Sequence, residues 1–477
     1  MEEGFQLKHD YVILGNGAIG TLSAIRLKQQ YPSKSVCLIG SKERRNSASA
    51  AAGAMCNVFA EIEATYSEPH SRLMELSLWY GIAGREGWLE LLASNSKLKK
   101  LKTASDTLVF LKKDCSDFEL MNFRKSRETA TQYGVAKDLG VESIKKFFRY
   151  SRDIPSDAFK VEGEFALDTQ VMFHAFDQIC ADLGVSILDS EVLEIDLNSS
   201  NILTEKERMK FDHLIVALGS NSATLLPPGT IQNLVQGVGT AIEIRKKGMS
   251  GYFSEQKVVI RTVNRGGAQC GFHFVPRNEG FYLGAGNYIM EAERESDHRL
   301  ETIRYLFNTF EREVCGVDIA YSLEGRLVKG HRPRSLDGFP IIGHLPKNPN
   351  VFIATGTNRA GLTWAPKIVN QILTWSNGEL DTFPHQDYLA PDRKLIDFGK
   401  EEEAITYYSE SRLGAALEHE RITKTNAALA QERVRLRKYA HDLLANVRTV
   451  TKSPNAVPHP DHWAVILDKP SVCYGII

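Results

Sequence analysis

The feature that most constrains this chain is an apolar run that breaks at a glycine-rich turn and resumes as a helix: "YVILGNGAIGTLSAIRLKQQYPSKSVCLIGSKER", Tyr11 to Arg44. Tyr11–Leu14 has strand length, Leu22, Ile25 and Leu27 carry a helical pattern, and Val36–Ile39 is a second apolar run. A β-α-β unit with G-x-G-x-x-G at its first strand–helix junction reads as a nucleotide site. Gly15 allows the tight turn, Gly17 lets the backbone approach a pyrophosphate, and Gly20 allows close packing of helix on strand. Ala18 and Ile19 begin the helix, whose N-terminus stabilises phosphate charge.

The second strand of such a unit should end in Asp or Glu, which accepts hydrogen bonds from ribose hydroxyls. Gly40 stands at that place instead, followed by Ser41, which makes at most one weaker contact, with Glu43 two residues further on. Arg44 and Arg45 are suitable cations for the 2′-phosphate of NADP, unless Lys42–Arg45 is simply a solvated loop. This stretch alone leaves FAD and NADP both open.

Composition sets the outer limits. A formal net charge of -1 supplies no field to recruit nucleic acid or an anionic membrane. At 477 residues, two or three domains are expected. Seven dispersed cysteines with no C-x-x-C pair read as reduced thiols rather than a disulfide framework. The charged start "MEEGFQLKHD" is no signal peptide, and no apolar run reaches spanning length. A cytoplasmic protein is expected, with neither nucleic acid nor membrane as partner.

Three later stretches bear on the choice of cofactor. In "NSASAAAGAM" (Asn46 to Met55), serial small residues at Ala52, Gly53 and Ala54 let the backbone pass close to a flat cofactor up to Met55, and Ser47 and Ser49 can donate to phosphate or flavin carbonyls. "HLIVALGSNSATLL" (His213–Leu226) is a strand ending in a Gly-Ser turn, with Ala217 and Gly219 at the crossover. "GHRPRSLDGFPIIGHLPKNPNVFIATGTNRAGLTWAPKIVNQIL" (Gly330–Leu373) runs from an Arg-Pro step through a Pro-bounded hairpin and a strand into a Gly turn and a helix at Thr363–Leu373.

Together these stretches resemble the FAD-dependent D-amino-acid oxidase family, especially its glycine-oxidase and sarcosine-oxidase-like branch. The resemblance covers roughly residues 8–395 and rests on "GNGAIG", "SASAAAGAM", "ALGSNS", "GFHFVPRNEGFYLGAGN", "HRPRSLDGFPIIG" and "ATGTNRAGLTWAP", in the family's order. It implies an α/β chain: a Rossmann-like FAD-binding domain assembled from separated segments, an inserted, mostly antiparallel-sheet substrate domain, and a C-terminal helical extension. The FAD-binding segments would be 1–70, 166–230 and 326–392. A helical or irregular insert with part of the substrate domain would span 71–165, the substrate domain 231–325 and the extension 393–477.

The resemblance also implies roles. Arg332 matches the arginine that clamps a substrate carboxylate, and a guanidinium fork suits that task because two parallel charged bonds fix the acid's plane. His273 falls where the glycine-oxidase branch has a substrate-facing tyrosine, and an imidazole there can donate to a carboxylate or take a proton from the amine. Asn287 and Tyr288 are pocket-lining candidates. Val192 belongs to the strand whose backbone meets the adenine, and Arg359, Ala360, Gly361, Leu362 and Thr363 form the turn over the flavin's pyrimidine end. Helix N–H groups at that turn would stabilise charge on reduced flavin.

Elsewhere, Lys257–Thr262, Gly271–Pro276 and Gly280–Gly286 read as short strands, and Asp297–Phe310 as a helix with Leu300, Ile303 and Phe307 at helical spacing. Ser71–Ser96 is helical, with Trp79, Tyr80 and Trp88 assigned to core rather than to a lid. In the tail, Ile422, Leu429, Leu436 and Leu443 recur at sevens, but Asn426, Arg433, Ala440 and Val447 between them are mixed. One or two amphipathic helices, packed on the body or on a partner subunit, are expected rather than a coiled coil. The Pro-punctuated end, "SPNAVPHPDHWAVILDKPSVCYGII", suits either a strand docked on a neighbour or closure of the active site, and its His459, Asp461 and His462 are not read as a metal site.

The expected activity is oxidation of the C–N bond of a small amino acid or secondary amine to an imine, by hydride transfer to flavin N5, with oxygen or another acceptor reoxidising the flavin. The alternatives are a flavoprotein component for assembly or interaction, and an FAD-dependent biosynthetic monooxygenase. No metal is expected, and the C-terminal helices are the candidate surface for a homo-oligomer or a partner protein.

Overall fold

The apolar runs of the opening unit become adjacent parallel strands in a computed structural model that describes residues 7–245, 257–265, 270–291, 297–315, 324–379, 383, 385–419 and 421–468. Numbered along the chain, β1 (Leu7–Leu14) lies between β2 (Val36–Ile39) and β10 (Arg208–Val216), parallel to both. β17 (Asn348–Thr355) continues the parallel order beside β10 and β7 (Ser186–Leu188) beside β2, while β16 (Ile341–Leu345) closes one edge antiparallel. β8 (Val192–Asp196) and β9 (Asn201–Thr204) form an antiparallel pair attached to the start of β10. Val12, Ile13, Leu14, Leu214, Ile215 and Val216 are fully buried because helices and the β8–β9 pair cover this sheet on its two faces.

One face carries α1 (Ala18–Gln30), α5 (Thr169–Leu183) and α8 (Gly361–Ser376), with α2 (Glu68–Ser94) against α8. The core assignment of the α2 aromatics holds where it matters. Trp88 donates to the Leu362 carbonyl at 2.8 Å and Tyr80 to Gln371 Oε1 at 2.8 Å, whereas Trp79 is half-buried and stacks on Phe383. The Trp88 bond holds the first turn of α8 and the Tyr80 bond its middle.

The second sheet has nine strands. Its main path runs β15 (Gly325–Ser335), β11 (Leu234–Arg245), β14 (Gly280–Glu291), β13 (His273–Arg277), β12 (Val258–Arg261), β4 (Lys102–Leu111), β6 (Asp157–Leu167) and β3 (Met55–Cys56), with β5 (Ala136–Asp138) also on β6. Every pairing is antiparallel except β4 with β12. The α/β architecture, with a Rossmann-like sheet gathered from separated segments and a mostly antiparallel second sheet, is the one expected. Four further helices complete the body: α3 (Asp117–Gln132), α4 (Val141–Phe147), α6 (Ser222–Leu225) and α7 (Leu300–Phe310).

α7 is the helix that the spacing indicates, with a later start. Leu300 is 81% exposed and Phe307 39% exposed, and the buried residues are Tyr305, Leu306, Thr309 and Phe310. The helix begins at Leu300 rather than Asp297, so Leu300 sits in the first turn at the rim, and Phe310 stacks on Phe274 of β13 at 5.3 Å.

The tail folds onto this body as α9 (Glu401–Glu418), α10 (Asn426–Val450) and α11 (Trp463–Asp468). Ala440, Leu443, Leu444 and Val447 are buried in a cluster with Ile405 and Tyr408 of α9 and with Trp463, and Leu436 is buried one turn earlier. Ile422 lies in the loop before α10, not on the seven-residue seam. Residues 460–468 form a 3₁₀ turn and α11 rather than a strand, and the end of the chain from 469 lies outside the described residues. His459, Asp461 and His462 dock on β15 and the turn after it. Asp461 Oδ2 accepts from Arg334 at 2.9 Å, His459 Nε2 lies 3.3 Å from the same guanidinium, and His462 Nδ1 faces the Leu336 carbonyl at 2.8 Å.

Burial, and then the Arg334 charge, push His462 down to about 3 and His459 well below its ordinary value, and burial lowers His70 beside them. Folded values below the unfolded value near 6.5 mean that the unfolded chain takes up protons first as pH falls. The stability these imidazoles contribute is complete above about pH 6.5 and is lost as pH falls towards the folded values. For one such imidazole the loss by pH 5 is on the order of 2 kcal/mol. The melting temperature should therefore drop between pH 7 and pH 5; a flat profile over that window would contradict the buried neutral state.

Candidate functional site

A cavity of about 720 Å³ opens at the carboxyl ends of β1, β2, β10 and β17 and extends to the second sheet. That is where open parallel sheets bind ligands, and the volume is in the range of cofactor pockets. The glycine turn forms part of its wall. Gly15 has φ +96, and a Cβ there would lie 2.3 Å from the Ala217 carbonyl oxygen, so the crossing of β1 and β10 demands glycine. Gly17, Ala18 and Ile19 line the cavity, and so do Ser41, Val192, Ala217 and Gly219. Gly20 does not; it faces the Gly15 carbonyl and is a helix–strand packing residue.

Two helix N-termini meet this space. α1 has Gly17 at its cap and α8 has Ala360, neither with a side-chain cap nor an acidic residue in the first turn. Arg359, Ala360, Gly361, Leu362 and Thr363 all line the cavity. Between the two helix ends runs the segment with Ser47, Ser49, Ala52, Gly53, Ala54 and Met55, all lining as well. Ser49 Oγ accepts from Ala18 N–H at 3.1 Å, and Thr363 Oγ1 donates to the Met55 carbonyl at 3.1 Å. Helix ends with no side-chain cap from their own N-cap residue and no acid in the first turn supply the N–H donors that a pyrophosphate and a flavin ring edge require. The residues present fit FAD.

They do not provide the cation that a 2′-phosphate would need. Arg44 spends both terminal nitrogens on Asp177, at 2.5 and 3.1 Å, and lies over the Phe173 ring. Arg45 is exposed and paired with Glu43, which therefore does not reach back to the place of Gly40.

At the second sheet the cavity becomes charged. Arg332 on β15 lines it half-buried, and its Nη1 donates to Asn287 Oδ1 at 2.9 Å. Asn287 itself is buried behind Arg332 and does not line the cavity, and Tyr288 points away, its hydroxyl on the Asp297 carbonyl and its ring under Arg299. These two pocket-lining expectations fail. Strand alternation turns Tyr288 to the opposite face of β14, whereas Asn287 shares the face of Arg332 but lies beyond the stretch that borders the cavity. His273 does line it, with Nδ1 3.0 Å from the Gly271 carbonyl and its ring stacked on Tyr282. Since a carbonyl only accepts, Nδ1 carries the proton and Nε2 the lone pair. Burial, then the Arg261 charge, hold this imidazole down at about 3, so it is neutral at ordinary pH.

Sequence reasoning missed Glu61, Glu63 and Arg261. Glu61 Oε1 accepts from Arg261 Nη1 at 2.6 Å, its Oε2 lies 3.2 Å from Arg359 Nη2, and Glu63 lies 3.2 Å from the same atom of Arg359. Burial pushes the Glu61 carboxyl up, but Arg261 and Arg359 outweigh it and hold it down at about 2. A signal for Arg261 was present: a charge inside the apolar run "VVIRTV". Glu164, also buried, accepts from Val58 and Phe59 N–H groups at 2.7 and 2.9 Å and so fixes the turn that carries Glu61.

The model of the FAD dependent oxidoreductase family matches residues 10–368. Among solved structures, glycine oxidase from Geobacillus kaustophilus is similar over 82% of this chain and 100% of its own, with 17% identity and a TM-score of 0.68. L-proline dehydrogenase from P. horikoshii aligns over 82% of this chain and 98% of its own, at 16% identity and a TM-score of 0.63. An L-alpha-glycerophosphate oxidase from Mycoplasma pneumoniae, solved with FAD bound, covers 81% of this chain and 97% of its own, at 18% identity and a TM-score of 0.62. No curated protein matches in sequence. At such identities the solved structures establish the shared fold and leave the substrate open.

Replacing Glu61 by Gln leaves Arg261, which is 1% exposed, without its charge partner. Leaving a buried charge unpaired should cost at most about 3 kcal/mol here, since Glu61 itself is partly open to the cavity. Chemical denaturation of Glu61→Gln would read it, and an unchanged midpoint would show that Glu61 does not balance Arg261.

Proposed function

The chain belongs to the FAD dependent oxidoreductase family, and on that premise we propose that it oxidises the C–N bond of a small amino acid or of a secondary amine bearing a carboxylate. The observation that carries this reading is the charge balance of the cavity. Arg261 and Arg359 are matched by Glu61 and Glu63, whereas Arg332 has only the neutral Asn287 as hydrogen-bond partner among the described residues. One uncompensated guanidinium in a half-enclosed space suits one carboxylate.

Arg332 binds the acid and Asn287 orients the fork through Nη1. The guanidinium lies flat on the backbone of Gly239, where a Cβ would come within 2.3 Å of Nη2. His273 Nε2 accepts a hydrogen bond from the substrate nitrogen. Held near 3, the imidazole stores no proton at neutral pH, so its role is to orient the substrate nitrogen through that bond, and the proton the amine gives up goes to water. FAD, when bound, supplies the two-electron acceptor. The imine that results hydrolyses in water, and oxygen or another acceptor takes the electrons.

An anaerobic panel of amines and amino acids, followed at the flavin absorption band, tests this. Carboxylate-bearing amines should bleach the band; a yellow protein inert to every amine and amino acid would remove the proposal. Arg332→Leu should mainly raise KM, by about 1.5–3 kcal/mol for a lost charged hydrogen bond, on the order of 10- to 100-fold. An unchanged KM would remove the clamp role.

A further inference from the structure

The missing carboxylate at the end of β2 has a structural counterpart. A Cβ on Gly40 would lie 2.7 Å from Asn16 Cγ, 2.8 Å from Asn16 Oδ1 and 3.0 Å from the Asn16 backbone nitrogen. The amide of Asn16 fills the space that a side chain at position 40 would enter. Its placement is rigid. Nδ2 donates to the Ser41 carbonyl at 2.8 Å, and the Asn16 carbonyl accepts from Thr21 Oγ1 at 2.9 Å and Arg44 Nε at 3.1 Å.

Asn16 is 8% exposed and lines the cavity, and its Oδ1 has no hydrogen-bond partner among the described residues. Such an oxygen is an acceptor, as a carboxylate oxygen is, and it faces the cavity where a ligand hydroxyl can donate to it. We propose that Asn16 takes over the ribose site: its Oδ1 accepts from the adenosine ribose hydroxyls of FAD, and Gly40 is glycine because the amide needs that room. The nearby acids are otherwise engaged. Glu43 pairs with Arg45, Asp177 holds Arg44, and Asp189 accepts the Lys42 N–H. Glu191 is the one that lines the cavity, at its exposed edge. This inference concerns the nucleotide end and stands whatever the substrate proves to be.

The test titrates FAD into the flavin-stripped full-length chain and, in parallel, compares ADP with 2′,3′-dideoxy-ADP. The second ratio is internal to each variant, so a general loss of binding or of folding does not mimic it. Asn16→Ala should weaken FAD roughly three- to tenfold, the scale of one neutral hydrogen bond, and abolish the preference for ADP over the dideoxy compound. Gly40→Glu should weaken FAD further by displacing Asn16. The double variant Asn16→Ala/Gly40→Glu should bind FAD more tightly than Gly40→Glu alone, because the new carboxylate then has space. If Asn16→Ala keeps the wild-type ribose preference, or if Glu191→Ala loses it in its place, the assignment is wrong.

Discussion

The site depends on how the segment from Asn46 to Met55 is held between the two sheets. Tyr282 of β14 donates to the Ala51 carbonyl at 2.8 Å, and Arg277 of β13 donates to the Ala52 carbonyl at 2.6 Å. From β15, the His331 N–H bonds the Asn46 carbonyl at 2.9 Å. The second sheet thus satisfies the backbone of a segment that has almost no regular structure of its own, which is how a loop at this depth avoids unpaired polar groups. Small side chains are the condition for it: a Cβ on Gly330 would lie 2.8 Å from the Ala51 Cβ. With the segment fixed, Ser49 meets the end of α1, Met55 meets the start of α8, and the cavity has defined walls from the glycine turn to Arg332.

Electrostatics then decides what the cavity offers. Burying arginines is costly unless each is matched, and this chain matches them in groups. Glu61 and Glu63 serve Arg261 and Arg359 inside the cavity. Behind it, buried Arg265 meets Glu119, Glu313 and Glu418, the last from α9, so the tail helices are tied to the segment that follows β12 by charge as well as by apolar packing. On β15, Arg334 is matched by Asp461 of the tail. Arg332, two residues before it on the same strand, meets no such acid among the described residues. The tail lies outside the span of the family model and braces the strand that carries the free guanidinium.

Much of the nucleotide half was legible because its constraints are local. A strand, a glycine turn and a helix in immediate succession leave one arrangement, and small residues in series mark close backbone approach. The charged corner was harder to read because its members come from distant elements: Glu61 follows β3, Arg261 lies on β12 and Arg359 precedes α8. Only the register of the second sheet brings them together. Asn287 was placed in the pocket, yet it lies behind Arg332 on the same face of the sheet, two strands away, where it acts on the guanidinium instead. The spacing of Leu300, Ile303 and Phe307 marked α7 as a helix, but spacing alone does not say which turn of a helix meets the sheet, and the buried residues are Tyr305, Leu306, Thr309 and Phe310. Gly40 was legible as an absence, and what fills its place became visible only with Asn16 in three dimensions.

The central claim is that the fixed segment and the neutralised arginines leave one cavity guanidinium, Arg332, without a carboxylate partner among the described residues, available to a substrate acid. Titrating a redox-inert short-chain carboxylate into the FAD-loaded protein, with the flavin spectrum as readout, tests it most directly. The account predicts a saturable spectral change that disappears when Arg332 is replaced by leucine. A spectrum that does not respond, or responds equally in that variant, would contradict it.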